Sequence, residues 1–419
     1  MDTGAKKIFR MLTVHNAALR GRSGRWSLTA ERGRVTSIRP DSGTTPATPS
    51  LDAEGNLVTE PFVDAHLHLC KVHTLDLAGE GPLAAYTKGT MGAAMDAIDG
   101  ASAVKTHQTE EAVTERARSV LIESVRHGVR AVQAFADVDP VAGLTGVRAL
   151  LALKEEFREF VDVRVVAFPQ DGLLKAPGTE ELVERAVDLG ADVVGGIPWI
   201  ELTDADAAEH VRRMVALARR TGKRVAMLVD DAGDPGLRTT ETLAAELLAQ
   251  DMTGRASAQH ARAMALYPEP YLRRLTALIT KAGLGLVSDP HTGPLHLPVL
   301  PLTDAGVPVA LGQDDIEDAY YPFGRHNLLE VAFLAAHVLG PSRLDDLYDM
   351  ITTTAAQVIG RESEGLKEGA AADFVVLDGT TIREALTRHN PPRHVVVGGR
   401  VVASTKSATH FPAFPGKSA

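Results

Sequence analysis

The chain has 419 residues, enough for one large domain or two of ordinary size. Hydrophobic residues make up 44% of it and charged residues 23%, which is the composition of a soluble globular protein. A net charge of −10 with no basic run argues against a nucleic-acid partner, and the single cysteine, Cys70, excludes a disulfide framework and a thiolate metal cluster.

The N-terminal segment predicts neither a targeting signal nor a membrane partner. It has early positive charges but lacks the long apolar stretch of a signal peptide. The sequence also lacks a run of about 18 apolar residues, the length that spans a bilayer. We therefore expect a cytoplasmic protein.

Short β-type runs dominate residues 1–60. RMLTV, RWSLTA and VTSIRP are separated by Gly, Ser and Pro, a pattern that predicts short strands joined by turns. Residues 361–419 return to this pattern in ADFVVLDG and HVVVGGRVVAS. Because strands need partners for their backbone groups, we expect both chain ends to build one small β-sandwich domain.

Residues 61–360 alternate between short apolar runs and helical patterns. Segments such as TEELVERAVDLG and PYLRRLTALITKAG repeat apolar residues at helical spacing, and three such segments end near Gly. The apolar runs predict eight strands, at residues 62–69, 131–137, 163–169, 193–197, 224–230, 255–259, 285–288 and 308–311. This alternation predicts an α/β fold, a TIM-type (β/α)₈ barrel. A doubly wound open sheet is the alternative, although no Gly-rich fingerprint follows the first strand.

His66 and His68 lie at the end of the first barrel strand, in EPFVDAHLHLCK. Strand side chains alternate between faces, so this spacing places both imidazoles on one side, about 7 Å apart at Cα. Such a pair can hold one metal ion. Two unrelated histidines at a strand end would give the same pattern.

Asp314 and Asp315 directly follow the apolar run of the eighth strand. Barrel enzymes carry their active sites at the C-terminal ends of the strands. A carboxylate at that position can serve as a metal ligand and as a base for an attacking water. A helix cap or a solvated loop is the alternative for such a pair.

Weaker signals lie at three other strand ends. They are Asp230 and Asp231 after the fifth strand, His260 at the end of the sixth and Gln170 after the third. A Gln side chain suits an amide or amidine edge. Each of these residues is equally explained by a structural hydrogen bond. Their common location at C-terminal strand ends favours a shared site.

The most specific motifs extend over nearly the whole chain. They are EPFVDAHLHL, VVAFPQDGLL, DLGADVVGGIPWIE, ASAQHARAM, LGQDDIEDAYYPFG and GLKEGAAADFVVLDG. On these stretches the chain resembles the cytosine deaminase branch of the amidohydrolase superfamily. The resemblance implies an enzyme in which one divalent metal, zinc or iron, activates a water that attacks a ring carbon and expels ammonia. It also implies a small-molecule substrate and a homo-oligomer.

By position, the resemblance assigns catalytic roles to five of these residues. His66, His68 and Asp314 would be the metal ligands, with Asp314 also acting as the base. His260 would hold the attacking water. Asp231 stands where the family has a glutamate, and it would be the proton shuttle to the leaving nitrogen.

The resemblance also describes the substrate side, where the chain departs from the family pattern. Gln170 and Asp315 would contact the substrate. Leu228 replaces a histidine that is a metal ligand in the family, and Phe135 and Trp199 replace two further histidines. These three apolar residues would line the substrate site and favour a larger or less polar substrate than cytosine.

Three functions stay open on the sequence alone. The first is hydrolysis of a non-peptide C–N bond, by deamination or ring opening, in a small cyclic amide, amidine or aminated heterocycle. The second is a metal-independent acid–base enzyme on the same fold. The third is a non-catalytic binding protein, against which the joint presence of the candidate catalytic residues argues.

Overall fold

The computed structural model describes residues 11–46, 49–79, 104–106, 108–340 and 343–410. Within them the chain forms two separate eight-stranded sheets, one a parallel barrel and the other mixed. Arg10 of the first predicted strand, and residues 411–419 of the predicted C-terminal part, lie outside the described residues.

The N-terminal residues form five strands; the second and third contain two of the predicted runs, and the first begins at the third residue of RMLTV. The strands are β1 (Leu12–Leu19), β2 (Arg22–Glu31), β3 (Arg34–Pro40), β4 (Ser50–Asp52) and β5 (Leu57–Thr59). β1, β2 and β3 are antiparallel neighbours, whereas β4 and β5 pair with β1 in parallel.

Eight parallel strands form the barrel and follow one another around it in chain order. They are β6 (Phe62–Leu67), β7 (Val129–Asp137), β8 (Asp162–Phe168), β9 (Val193–Gly196), β10 (Arg224–Val229), β11 (Ala256–His260), β12 (Gly285–Ser288) and β13 (Val309–Leu311). Each strand agrees closely with a predicted run, which confirms the (β/α)₈ prediction. A parallel bridge between Leu67 and Asp314 joins the first strand to the last.

The closure between β6 and β13 is tight. A Cβ on Gly312 would lie 2.7 Å from the Cβ of His66, so only glycine lets the two strand ends approach this closely. The His68 N–H donates to the Asp314 carbonyl at 2.7 Å, and the Asp314 N–H donates to the His66 carbonyl at 2.8 Å. The first and last predicted site segments are therefore in direct contact.

Most helices of the described residues lie between the barrel strands or after the last of them, and the final helix lies in the C-terminal part of the chain. They are α1 (Leu75–Ala78), α2 (Glu110–His127), α3 (Thr145–Phe157), α4 (Thr179–Leu189), α5 (Asp204–Thr221), α6 (Thr239–Ala249), α7 (Glu269–Ala282), α8 (Val299–Asp304), α9 (Leu328–Val338), α10 (Leu344–Asp349), α11 (Thr353–Val358) and α12 (Ile382–Arg388). Gly190, Gly222 and Gly283 end α4, α5 and α7 in the left-handed conformation, as the sequence predicted. Among the described helices, none has the length and apolar character that a membrane crossing requires.

The C-terminal residues complete the second sheet. They add β14 (Phe374–Val376), β15 (His394–Val397) and β16 (Arg400–Ser404), and the sheet runs β16-β15-β14-β5-β1-β2-β3. β14 pairs with β5 in antiparallel orientation, which joins the two chain ends as predicted. The predicted domain limits at residues 60 and 360 stay a prediction.

Candidate active site

The three predicted metal ligands meet at the C-terminal mouth of the barrel. His66 Nε2 lies 2.9 Å and His68 Nε2 3.7 Å from Oδ1 of Asp314, and all three side chains are at most 5% exposed. One possible ligand atom of each lies within 4.8 Å of the other two. Asp314 has a φ of +60°, a strained conformation of the kind that clusters at functional sites. The structure brings this predicted set together.

The histidine rings carry unsatisfied nitrogens. Nδ1 of both His66 and His68 is buried without a hydrogen-bond partner among the described residues. Burial lowers the pKa of His66 and holds the pKa of His68 well below its ordinary value, so both rings are neutral. Neutral imidazoles are metal ligands, and buried polar atoms without partners are costly. The donor set therefore fits a divalent ion.

His260 faces the same carboxylate from the end of β11. Its Nε2 is 3.8 Å from Oδ1 of Asp314, and its Nδ1 is 2.5 Å from Oδ1 of Asp289. A carboxylate at Nδ1 orients the ring and leaves Nε2 directed at the site formed by His66, His68 and Asp314. Burial raises the pKa of Asp289 to about 7. Sequence reasoning missed Asp289, although it directly follows β12 and so stands at a C-terminal strand end.

Arg262 is a buried cation that the sequence analysis also missed. Its Nε lies 2.7 Å from Oδ1 of Asp231, and its Nη2 lies 2.8 Å from Oδ2 of Asp289. Nη2 also donates to the Thr292 hydroxyl at 2.7 Å, and that hydroxyl donates to Asp314 at 3.0 Å. The guanidinium thus connects three carboxylates. Its position two residues after a strand-end histidine was the only sequence signal.

Asp230 and Asp231 have different surroundings. Asp230 is fully buried and accepts hydrogen bonds from the N–H and hydroxyl of Thr239, at the start of α6, and from the hydroxyl of Tyr267. It therefore acts as a cap for this helix. Asp231 instead faces Arg262, and burial raises its pKa. Of the two, Asp231 is the one beside the candidate metal ligands.

The three predicted apolar substrate residues lie in one buried cluster. Phe135, Trp199 and Leu228 pack together with Phe168 and neighbouring aliphatic residues. The Phe135 ring centroid is 4.2 Å from that of His66, which places this cluster against the metal ligands. The cluster forms an apolar wall beside the candidate metal ligands. Leu228, which replaces a metal-ligating histidine of the family, is part of this wall.

The predicted polar substrate residues lie near a buried lysine. Lys71 is 4% exposed, and its Nζ donates to Oε1 of Gln170 at 2.7 Å. The same Nζ lies 3.8 Å from Oδ1 of Asp137 and 4.9 Å from the ring centroid of Tyr320. Oδ1 of Asp315 is buried and accepts no hydrogen bond among the described residues. Lys71 was not predicted, because a single lysine after a histidine pair has no distinctive pattern.

The fold and this constellation define the class of protein. Residues 101–403 match the model of the amidohydrolase family, and the chain belongs to that family. This confirms the predicted superfamily. It also confirms the predicted class of enzyme, a hydrolase of carbon–nitrogen bonds other than peptide bonds.

Particular relatives agree with this assignment. N-isopropylammelide isopropyl amidohydrolase of Pseudomonas sp. (strain ADP) is 30% identical over 361 residues, which cover 84% of this chain and 87% of the relative. Pterin deaminase of Rhizobium rhizogenes (strain K84) is 26% identical over 88% of this chain and 86% of its own length. The structure of 5-methylcytosine deaminase from Klebsiella pneumoniae, liganded with 5-fluorocytosine, superposes with a TM-score of 0.87 at 30% identity, covering 96% of this chain and 99% of that one.

Proposed function

We propose that the chain hydrolyses a C–N bond of a small cyclic amide, amidine or aminated heterocycle, by deamination or ring opening, with a water activated by one divalent metal ion. The observation that carries this proposal is the trio His66, His68 and Asp314, buried at the barrel mouth with unsatisfied ring nitrogens. The relatives described above are named for an ammelide, a pterin and a methylcytosine, which are all nitrogen heterocycles and support the same substrate class.

The residues at the centre fit a zinc or iron ion. Three protein ligands with a further open position are the usual donor set of a catalytic zinc. Around it, the carboxylates of Asp231, Asp289 and Asp314 face one buried cation, Arg262. Together with the neutral imidazoles, these carboxylates supply the nitrogen and oxygen ligands that a divalent ion takes. When bound, the ion would lower the pKa of water and polarise the substrate.

The chain's own residues would carry the proton steps. Asp314 accepts a proton from the attacking water. His260, oriented by Asp289 at its Nδ1, holds this water with its Nε2. Asp231 passes a proton of the same water on to the departing nitrogen, so that the proton taken up equals the proton given and both carboxylates are regenerated, while Arg262 fixes the direction of the Asp231 carboxylate.

The substrate side combines an apolar wall with two complementary polar groups. Because Lys71 occupies Oε1 of Gln170, the Nε2 amide group is what Gln170 offers to a substrate acceptor such as a ring carbonyl. Oδ1 of Asp315 can accept a hydrogen bond from an adjacent N–H. Phe135 and Leu228 would contact the apolar part of the ring. This pattern suits the edge of a cyclic amide or amidine.

The proposed activity is tested by incubating the zinc- or iron-loaded protein with a panel of cyclic amides, amidines and aminated heterocycles. The assays measure released ammonia or amine, and ring opening by mass. We expect turnover of at least one class of substrate, with larger or less polar rings preferred over cytosine. Turnover of none of them by metal-loaded protein would contradict the proposal. Cytoplasmic location and a homo-oligomer stay predictions.

Leu228 provides a separate test of the metal site. Replacing Leu228 by histidine should tighten zinc binding by roughly tenfold or more, because an imidazole on β10 would add a ligand. The same change should impair turnover, since a polar ring would replace part of the apolar wall. Zinc titration against a competing chelator measures the affinity. Leu228→Phe is the matched control, because it changes size without adding a ligand; equal affinities of the two variants would contradict the placement.

A further inference from the structure

The centre contains two overlapping sets of possible metal ligands. The first is His66, His68 and Asp314, and the second is His260, Asp289 and Asp314. In each set the ligand atoms lie within 4.8 Å of one another, and Asp314 belongs to both. Two donor sets joined by a shared carboxylate are the arrangement that hydrolases with two metal ions use. The ligand atoms alone would therefore allow a second ion.

The second set is already engaged by the guanidinium of Arg262. Its Nη2 donates to Oδ1 and Oδ2 of Asp289 at 2.9 and 2.8 Å. The same nitrogen lies 3.1 Å from Nδ1 of His260 and 3.9 Å from Oδ2 of Asp314. Arg262 is 5% exposed, so solvent screens this charge little.

We propose that Arg262 is a built-in cation that takes the place of a second metal ion and so limits the centre to one. This inference rests on the proposed function, because it presupposes an ion at the first set. Under this proposal, Arg262 determines whether the centre binds one metal ion or two.

Two properties make arginine suited to this role. A guanidinium keeps its proton at every pH at which a protein is folded, so its charge is permanent. It is also held from several sides: Nε pairs with Asp231 at 2.7 Å, and Nη1 donates to the carbonyl of Thr292. An ion at the second set would have to displace these contacts and would be repelled by the guanidinium. In the first set, the guanidinium lies 3.9 Å from Oδ2 of Asp314, whereas His66 and His68 face the other oxygen, Oδ1.

Metal stoichiometry tests this inference without relying on activity. Chelator-treated wild type and Arg262→Met are titrated with zinc, and bound metal is measured by elemental analysis after dialysis. We expect one ion per chain in the wild type and two in Arg262→Met, because the variant frees Asp289 and removes the repulsion. Arg262→Lys, which keeps the charge, should remain at one ion.

Two double variants test whether the second ion binds at the second set and whether the result survives when the charge is balanced. Arg262→Met with Asp289→Asn removes a ligand of the second set and should return to one ion. Arg262→Met with Asp231→Asn removes one positive and one negative charge together, so it provides a charge-balanced protein if the single variant fails to fold, and it should still bind two. The inference is overturned if Arg262→Met, alone and combined with Asp231→Asn, binds one ion, or if the wild type binds two. Either result leaves the proposed function intact. Absence of any ion in the wild type would instead overturn the metal mechanism itself.

Discussion

Replacing Asp314 by asparagine should lower kcat/KM by about 10⁴-fold or more, because the same carboxylate is proposed as metal ligand and as proton acceptor. Asparagine keeps the size of the side chain, and the closure of the barrel at this position depends on backbone bonds to His66 and His68. The fold should therefore survive. Steady-state kinetics on the best substrate of the panel, with metal content measured on the same samples, check this expectation.

The matched control is Asp188→Asn, which makes the same chemical change at an exposed position on α4. It should keep wild-type kinetics and wild-type metal content. If Asp314→Asn also retained turnover within tenfold of the wild type, Asp314 would be neither the base nor an essential ligand, and the site would have to be placed elsewhere.

Replacing Asp231 by asparagine should lower turnover by roughly 10²-fold or more, the usual contribution of a positioned acid or base. The amide has the same shape but cannot carry a proton to the leaving nitrogen. Metal content should stay unchanged, because Asp231 belongs to neither set of possible metal ligands. Single-turnover kinetics on metal-loaded protein separate this effect from a loss of metal.

Asp234→Asn is the control for this variant. Asp234 lies in the same loop, is exposed, and accepts a hydrogen bond from the N–H of Gly236, which an asparagine can also accept. We expect it to behave as the wild type. Near wild-type turnover in Asp231→Asn would show that another group protonates the leaving nitrogen and that the Arg262–Asp231 pair is structural.

The barrel could be predicted because its strands are buried on both sides. Such strands appear in a sequence as continuous apolar runs, and here each run is followed by a helical pattern. The convergence of His66, His68 and Asp314 follows from the same topology, since all parallel strands of a barrel present their C-terminal ends on one face. These are the parts of the site that need only strand order and strand direction.

The charged residues behind the site could not be predicted in this way. Arginine and lysine are mostly exposed, so a sequence gives no reason to place Arg262 or Lys71 in the interior. Their burial depends on carboxylates from other strands, such as Asp289 and Asp137, which become neighbours only in the folded barrel. Residues that form ion pairs between distant segments do not recur at a regular spacing in the sequence, so no pattern predicts them.

Asp230 and Asp231 show a second limit of sequence reasoning. Two adjacent carboxylates look alike in a sequence, but a positive φ of +46° at Asp230 turns the chain after β10. Asp230 consequently caps α6, whereas Asp231 meets Arg262. The residue pattern alone does not distinguish the two carboxylates, and only the family resemblance singled out Asp231.

The most direct test of the central claim is the metal content of the purified wild type, measured together with activity before and after treatment with a chelator. We expect one zinc or iron ion per chain, loss of activity with the ion, and recovery when the ion is restored. A protein that contains no metal and keeps full activity in the chelator would contradict the metal-dependent mechanism. It would favour an acid–base enzyme that works on the same barrel without an ion.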